Sequence, residues 1–231
     1  MLGEMTPERF AELRRAEIAR KTGIPPRAAA LLAAGELAVD EALVDAVDSG
    51  RSLYLYGPKG RGKTAAAAAV AFGYYDRHLH QMAIGDSCTF SSDRIPGPTG
   101  APKRYVRARF GSEGAYLAGL RASFDGKGAS EADVFDRYAR CSLLVLDDLG
   151  KESYAGSDWA LKRIWRLVDA RYAQGAPTVV TSQYGPGEIA DRLAGYKVER
   201  MADAGAVVDR LLEDAKLVEF SGANRRMDGP P

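Results

Sequence analysis

Little in this chain serves redox or metal chemistry. Cys88 and Cys141 are the only cysteines, lie far apart and form no CxxC. That argues against a disulfide framework or a zinc site and for reduced thiols, buried or free. Histidine is just as scarce. His78 and His80 are the only two, and two ligands alone rarely make a site, so both are read as surface or helix-end residues. A dominant charge sign is missing too. Lys and Arg number 32 against 31 Asp and Glu, a formal net charge of +1, so any nucleic-acid contact must come from a local patch. No apolar run approaches bilayer length, and the opening "MLGEMTPERF" has no signal-peptide core. A cytoplasmic protein without membrane contact is the expectation. There is no internal repeat.

What the chain does have is the composition of a globular domain: 46% hydrophobic and 27% charged over 231 residues, enough for one large domain or one plus a short arm. "TPERFAELRRAEIARK" reads as a helix, with Thr6 as its cap, Pro7 in the first turn, and Gly23, Pro25 and Pro26 as its stop. Residues 28–49, rich in Ala and Leu, read as helical. "SLYLY" reads as a short buried strand, and "TAAAAAVAFGYYDRHL" as a helix by propensity. Residues 81–103, with "DSCTFSSDRIPGPTGAPK", read as a mobile loop. "RYVRARF" is a candidate strand, followed by helices in "SEGAYLAGLRASF" and "SEADVFDRYAR". The start of "CSLLVLDDLG" is continuously apolar, as a strand buried on both faces would be. In "SDWALKRIWRLVDARYAQG" Ser157 is the expected cap, Gly175 the stop, and Leu161, Ile164, Trp165, Val168 and Tyr172 the inward stripe. A strand in "PTVVTSQY" and a helix in "PGEIADRLAG" complete the pattern. Strands alternating with helices predict a three-layer α/β fold around a parallel sheet.

One segment carries chemistry by its spacing. Gly57, Gly62, Lys63 and Thr64 fit G-x-x-x-x-G-K-[ST], with a strand before and a helix after. Glycines there let successive backbone N–H groups turn inward around a polyphosphate, and the following helix aims its positive end at the same anion. The expected nucleotide-binding residues are Gly57, Pro58, Lys59, Gly60, Arg61, Gly62, Lys63, Thr64 and Ala65. Lys63 would reach the β- and γ-phosphates, and Thr64 would bind Mg²⁺. The bound nucleotide is expected to be ATP.

A buried strand that ends in two adjacent carboxylates is costly unless a cation or partner sits there. Asp147 is therefore expected to hold Mg²⁺, directly or through water, and Asp148 to orient or deprotonate the attacking water. A solvated Asp-Asp turn is the competing reading. "PTVVTSQY" ends in Thr181, Ser182 and Gln183, and the Gln183 amide is the candidate bridge between water and γ-phosphate. Glu152 lies just beyond the acidic pair, with its role open.

These motifs, with "SDWALKRIWRLVDARYAQGAPTVVTSQY", "EIADRLAG" and "GANRRM", occur in the order seen in the DnaC/DnaI/IstB-like AAA+ ATPases, which the chain resembles over roughly residues 50–227. The resemblance implies an oligomeric P-loop ATPase of the AAA+/RecA-like class spanning 50–227, preceded by a short helical region 1–49 that would be a partner-binding arm and followed by a tail, 228–231. It implies Mg-dependent hydrolysis of ATP to ADP and phosphate, slow in the lone subunit. The implied partners are a replicative helicase and single-stranded DNA, with a transposition-associated ATPase as the alternative. It maps an arginine finger, acting on a neighbouring subunit, to Arg210, and a nucleotide-contacting arginine to Arg226, with Arg225 as its alternative. Three features depart from the family pattern. Gln183 stands where Asn is more usual, the region before residue 50 is short and has no zinc motif, and "DRIPGPTGAPKRYVRARF" has no counterpart. The Gln motivates a further alternative, a nucleotide switch that does not hydrolyse. A small-molecule kinase is disfavoured, because no arginine-rich lid is evident.

For DNA the candidates are Lys103, Arg104, Arg107 and Arg109, with Tyr105 and Phe110 interleaved. The alternation in "RYVRARF" equally describes a strand with one solvated basic face. Arg14, Arg15, Arg20 and Lys21 make the first helix basic, either for docking or as a plain solvated face.

Overall fold

Adjacent residues of the apolar strands are all buried, so each strand needs a helical layer on both sides. That is the architecture of the computed structural model, which describes residues 7–85, 94–95, 104–105, 107–124, 128–152, 154, 156 and 158–222. In chain order the elements are α1 (Pro7–Thr22), α2 (Pro26–Ala34), α3 (Glu41–Asp48), β1 (Leu53–Tyr56), α4 (Lys63–Gly85), β2 (Arg94–Ile95), β3 (Arg104–Tyr105) and β4 (Ala108–Ser112). Then follow α5 (Glu113–Phe124), α6 (Glu131–Ala139), β5 (Leu143–Leu149), α7 (Trp159–Ala173), β6 (Thr178–Ser182), α8 (Ile189–Ala194), α9 (Met201–Leu212) and β7 (Lys216–Glu219).

Five strands form one sheet in the order β4-β5-β6-β1-β7, with every pairing parallel. The two-residue β2 and β3 pair antiparallel apart from it. The side-chain period of two divides the sheet between two cores. Leu53, Leu55, Leu143, Val145 and Val179 join α1–α4 on one face. Tyr54, Leu144, Leu146 and Val180 join α5–α9 on the other. The parallel three-layer fold expected from the sequence is therefore present.

Small side chains let α4 lie close to its neighbours. Ala67, Ala68 and Ala71 are fully buried. A Cβ on Gly73 would come within 2.7 Å of Val39 and 2.9 Å of Val44, so only glycine permits this approach of α3. The basic residues of the N-terminal helices are used within the fold. Arg14 pairs with Asp76 at 2.8 Å, Arg15 donates to the Ala33 carbonyl, and Arg20 pairs with Glu17. From α4, Arg77 reaches Glu41, Asp45 and Asp48 of α3.

Several local expectations change. The span 28–49 is two helices, because Gly35 caps α2 in the left-handed region and Asp40 starts α3 by accepting from the Ala42 and Leu43 amides. Helix α4 continues to Gly85, into the stretch read as loop. Thr6, Ser157, Cys88 and most of 86–103 lie outside the described residues. On α7 the inward face is Ala160, Leu161, Ile164, Leu167, Val168 and Arg171. Trp165 and Tyr172 are exposed instead. The stripe rotates because Arg171 can go inside: it donates to the carbonyls of Tyr138, Ala139, Cys141 and Pro177 and to the Thr178 hydroxyl, satisfying all of its buried charge's donors that point there. His78 is buried rather than superficial, stacked edge-on to Tyr74 and 2.7 Å from Asp48. Cys141 is a buried free thiol, its pKa raised by burial. The edge strand β7 was not anticipated, since its four residues alternate only weakly between half-buried and exposed.

Candidate functional site

Parallel strands put their C-terminal ends on one edge of the sheet, and the ends of β1, β4, β5 and β6 meet there. Tyr56, last in β1, is in register with Ser182 of β6, and Ser112 of β4 with Asp147 of β5. The phosphate-loop sequence leaves β1 at Gly57 and enters α4 at Lys63. Gly57, Gly60 and Gly62 all have positive φ, at 129°, 80° and 94°. A Cβ on Gly57 would also lie 2.5 Å from the Phe220 carbonyl oxygen, so β7 closes over the loop from the side.

Lys63 is buried, and its Nζ donates to the Gly57 and Pro58 carbonyls at 2.6 and 2.7 Å. It thus folds back over the loop. Arg61 Nε is buried without a hydrogen-bond partner among the described residues. A loop with one buried lysine and an unsatisfied guanidinium nitrogen fits an anion such as a polyphosphate.

Across the loop, the Thr64 hydroxyl lies 3.0 Å from Asp147 Oδ1. The Thr181 hydroxyl donates to the same oxygen at 2.6 Å and accepts from the Asp148 amide at 2.9 Å. Burial pushes the Asp147 carboxyl pKa up, while the Thr181 hydrogen bond pulls it down. Such a carboxylate gains from a cation. Among the described residues no cluster of three or more His, Cys, Asp or Glu could hold a metal. Mg²⁺ fits this site all the same, since it is usually held by one or two protein ligands together with water and substrate phosphates.

Strand β5 breaks register between Leu146 and Leu149, and Asp148 sits at φ 60° within that irregularity. The bulge turns the two aspartates differently. Asp147 is buried beside Thr64; Asp148 is half-exposed, and its Oδ2 pairs with Lys151 Nζ at 3.0 Å. Gln183 follows β6 directly and is half-buried on the same edge.

The loop after the acidic pair is clamped from two sides. Arg192 of α8 donates to the Gly150, Lys151 and Glu152 carbonyls, at 2.5, 3.2 and 2.9 Å. Glu113, at the start of α5, accepts from the Glu152 amide at 3.1 Å and from the Tyr154 hydroxyl. Burial lifts its pKa to about 7. Sequence reasoning missed Thr181, Glu113, Lys151 and Arg192 as site residues. For Thr181 the signal was available, as a hydroxyl at a buried strand end; for the others nothing local marks them.

Arg210 lies at the other edge. It is in the last turn of α9, just before β7, whose first residue pairs with Leu53 at the start of β1. Its Nε is 2.8 Å from Asp169 Oδ1, and its guanidinium lies between the exposed rings of Trp165 and Tyr172. Arg107 and Arg109 also lie at the strand-start edge, flanking the first residue of β4. Of Arg104 only the backbone of β3 is described, and Lys103, Arg225 and Arg226 lie outside the described residues.

The chain was compared with known proteins. No protein-family model matches it, and no curated protein matches it significantly. Solved structures do. It has the fold of the DnaC and DnaI helicase loaders. The crystal structure of the DnaC helicase loader is 20% identical, with a TM-score of 0.55 over 78% of this chain and 87% of that one. For DnaI the identity is 19% and the TM-score 0.56, over 96% and 88%. Domain III of the Thermotoga maritima replication initiation protein DnaA is 15% identical, with a TM-score of 0.53 over 80% and 62%. The resemblance read from the motifs thus holds at the level of the fold. Among the described residues no helix is long and apolar enough to cross a membrane.

Proposed function

We propose that the chain is a Mg-dependent ATPase that acts as an oligomer on DNA to load or remodel a replicative helicase. One observation carries this reading: Lys63, Thr64, Asp147 and Thr181 converge at a glycine loop whose buried lysine fits a polyphosphate. Similarity to helicase loaders and to a replication initiator supports the setting.

Lys63 exchanges the Gly57 and Pro58 carbonyls for the β- and γ-phosphates. Thr64 and Asp147 would hold Mg²⁺, which when bound would supply positive charge against the phosphate oxygens. Thr181 fixes Asp147 and, through the Asp148 amide, the turn that carries the second carboxylate. Asp148 accepts the proton of the attacking water, and the Gln183 amide orients that water. The new P–O bond forms at the γ-phosphorus as the bond to ADP breaks. Arg210 serves the γ-phosphate of a neighbouring subunit, for which a planar guanidinium is suited. Its Nε pairs with Asp169, which that role would have it leave.

A nucleotide switch without turnover is the second reading. It is favoured by the Lys151–Asp148 ion pair, which occupies the candidate base, and by the longer amide of Gln183. Phosphate release from ATP, with and without single-stranded DNA, separates the two. In the same assay Arg210→Ala and Lys63→Ala should each be inactive alone and regain activity when mixed. Two proteins that stay inactive on mixing would remove Arg210 from the role. Absence of ATP binding to the wild type would remove the ATPase reading altogether.

A further inference from the structure

Helix α7 carries Trp165, Asp169 and Tyr172 at i, i+4 and i+7, one stripe turned away from the core. Trp165 is 39% exposed and Tyr172 48%, and the inward face of the helix is complete without them. A single exposed ring calls for no explanation, but these two flank one cation. Arg210, from the last turn of α9, has its guanidinium carbon 6.0 Å from the Trp165 ring centre and 5.8 Å from that of Tyr172. A shallow recess of about 590 Å³ opens beside it, lined by Tyr172, Asp209, Leu212 and Glu213.

The polar contacts of Arg210 are too weak to lock it. Its Nε is 2.8 Å from Asp169 Oδ1 yet makes no hydrogen bond among the described residues, so charge alone holds the pair. Both partners are part-exposed, and such pairs contribute less than about a tenfold factor. Its Nη1 donates to the Ala206 carbonyl, one turn back in α9, at 3.1 Å, which uses one of five guanidinium donors. Asp209 and Glu213 stand beside the same recess, so carboxylates by themselves pull the side chain in several directions. The rings select one. A cation attracted to two ring faces is confined to the slot between them, with donors of its fork left for an incoming oxyanion. Glu213 pairs with the Tyr172 hydroxyl and so steadies that ring. An arginine ordered in advance does not lose its rotamer freedom at the moment of reaction.

We propose that Trp165 and Tyr172 are positioning residues for Arg210, holding its guanidinium at the subunit face so that it enters the neighbour's site already oriented. The proposal rests on the reading above in which Arg210 serves the γ-phosphate of a neighbouring subunit. It adds an aromatic pair from a different helix. It also requires that the pair act in the subunit that gives the arginine, not in the one that receives it.

The test mixes two full-length variants and measures phosphate release across an ATP series. Lys63→Ala supplies Arg210 but no working site; Arg210→Ala supplies the site but no arginine. W165L/Y172L is then placed in one subunit or the other. In the Lys63→Ala subunit it should lower kcat of the mixture about 10-fold with KM for ATP unchanged, and Tyr172→Leu alone about 3-fold. In the Arg210→Ala subunit, which has no arginine to hold, the leucines should leave the rate of the mixture as it was. W165F/Y172F in the Lys63→Ala subunit should restore most of the rate, because phenylalanine keeps a ring face. Sedimentation velocity and unfolding midpoints follow assembly and folding on the same samples. An undiminished rate, or an equal loss in both placements, overturns the proposal. A loss matched by loss of assembly also overturns it, since the rings would then be subunit contacts. If the mixture of Lys63→Ala and Arg210→Ala is itself inactive, Arg210 loses its role and the pair falls with it. An active mixture indifferent to the leucines removes the pair alone.

Discussion

Thr64 and Asp147 lie 83 positions apart in the chain, yet the threonine hydroxyl is 3.0 Å from the carboxylate. The contact joins the helix that leaves the phosphate loop to the strand two places away in the sheet. It brings together the two residues expected to hold a metal, and Thr181, from the strand between them, holds the carboxylate in place.

Thr181→Val tests that support. Valine keeps the shape and removes a donor to Asp147 and an acceptor for the Asp148 amide. Stability should fall by about 1–3 kcal/mol, the usual cost of leaving a buried polar group unpaired. Nucleotide affinity should change little while the hydrolysis rate drops. Thermal denaturation and single-turnover phosphate release measure the two effects; an unchanged hydrolysis rate would separate Thr181 from the site.

Lys63→Ala removes the cation that now caps two loop carbonyls. Charge-assisted contacts contribute about 1.5–3 kcal/mol, so ATP affinity should weaken by roughly 10- to 100-fold. Titration calorimetry reads this directly, and ADP should lose less than ATP if the ammonium reaches the γ-phosphate.

Glu113 makes stability depend on pH. Its ordinary value is 4.5, and burial lifts it to about 7 in the fold. Between those values the folded chain keeps a proton that the unfolded chain has released. Stability therefore falls as pH rises through this window, by roughly 3 kcal/mol in all. Denaturant midpoints from pH 4.5 to 7 should show the decline in the wild type. Glu113→Gln, which cannot ionise, should flatten it; an identical slope in both proteins would assign the dependence elsewhere.

Arg192→Ala releases three carbonyls in the loop after Asp148. Lys151, whose carbonyl is among them, also pairs with Asp148. The variant should lower kcat with KM little changed, and Arg192→Lys should restore only part, since an ammonium cannot span the three acceptors as a planar fork does. A change confined to the unfolding midpoint would make the clamp purely structural.

Legibility differed from element to element, for physical reasons. The glycine loop was legible because a chain turning with positive φ at Gly57, Gly60 and Gly62 needs glycines at fixed offsets along one short stretch. The acidic strand did so because carboxylates at the end of an apolar run are costly without a partner. The inward place of Arg171 was not legible: a helical stripe predicts apolar residues inside, and nothing local reveals that four carbonyls wait there for a guanidinium. Trp165 and Tyr172 were assigned inward on the same pattern and lie outside.

By itself the sequence determined the alternation of strands and helices, the glycine loop and the paired aspartates, because each depends on residues adjacent in the chain. Only the tertiary structure decided which edge each group occupies. It set Thr181 on Asp147, sent Arg210 to the far edge, tied the loop after Asp148 to Arg192 and Glu113, and turned Trp165 and Tyr172 outward to flank Arg210. Those relations depend on sheet order and helix rotation, which are settled by packing across the whole molecule.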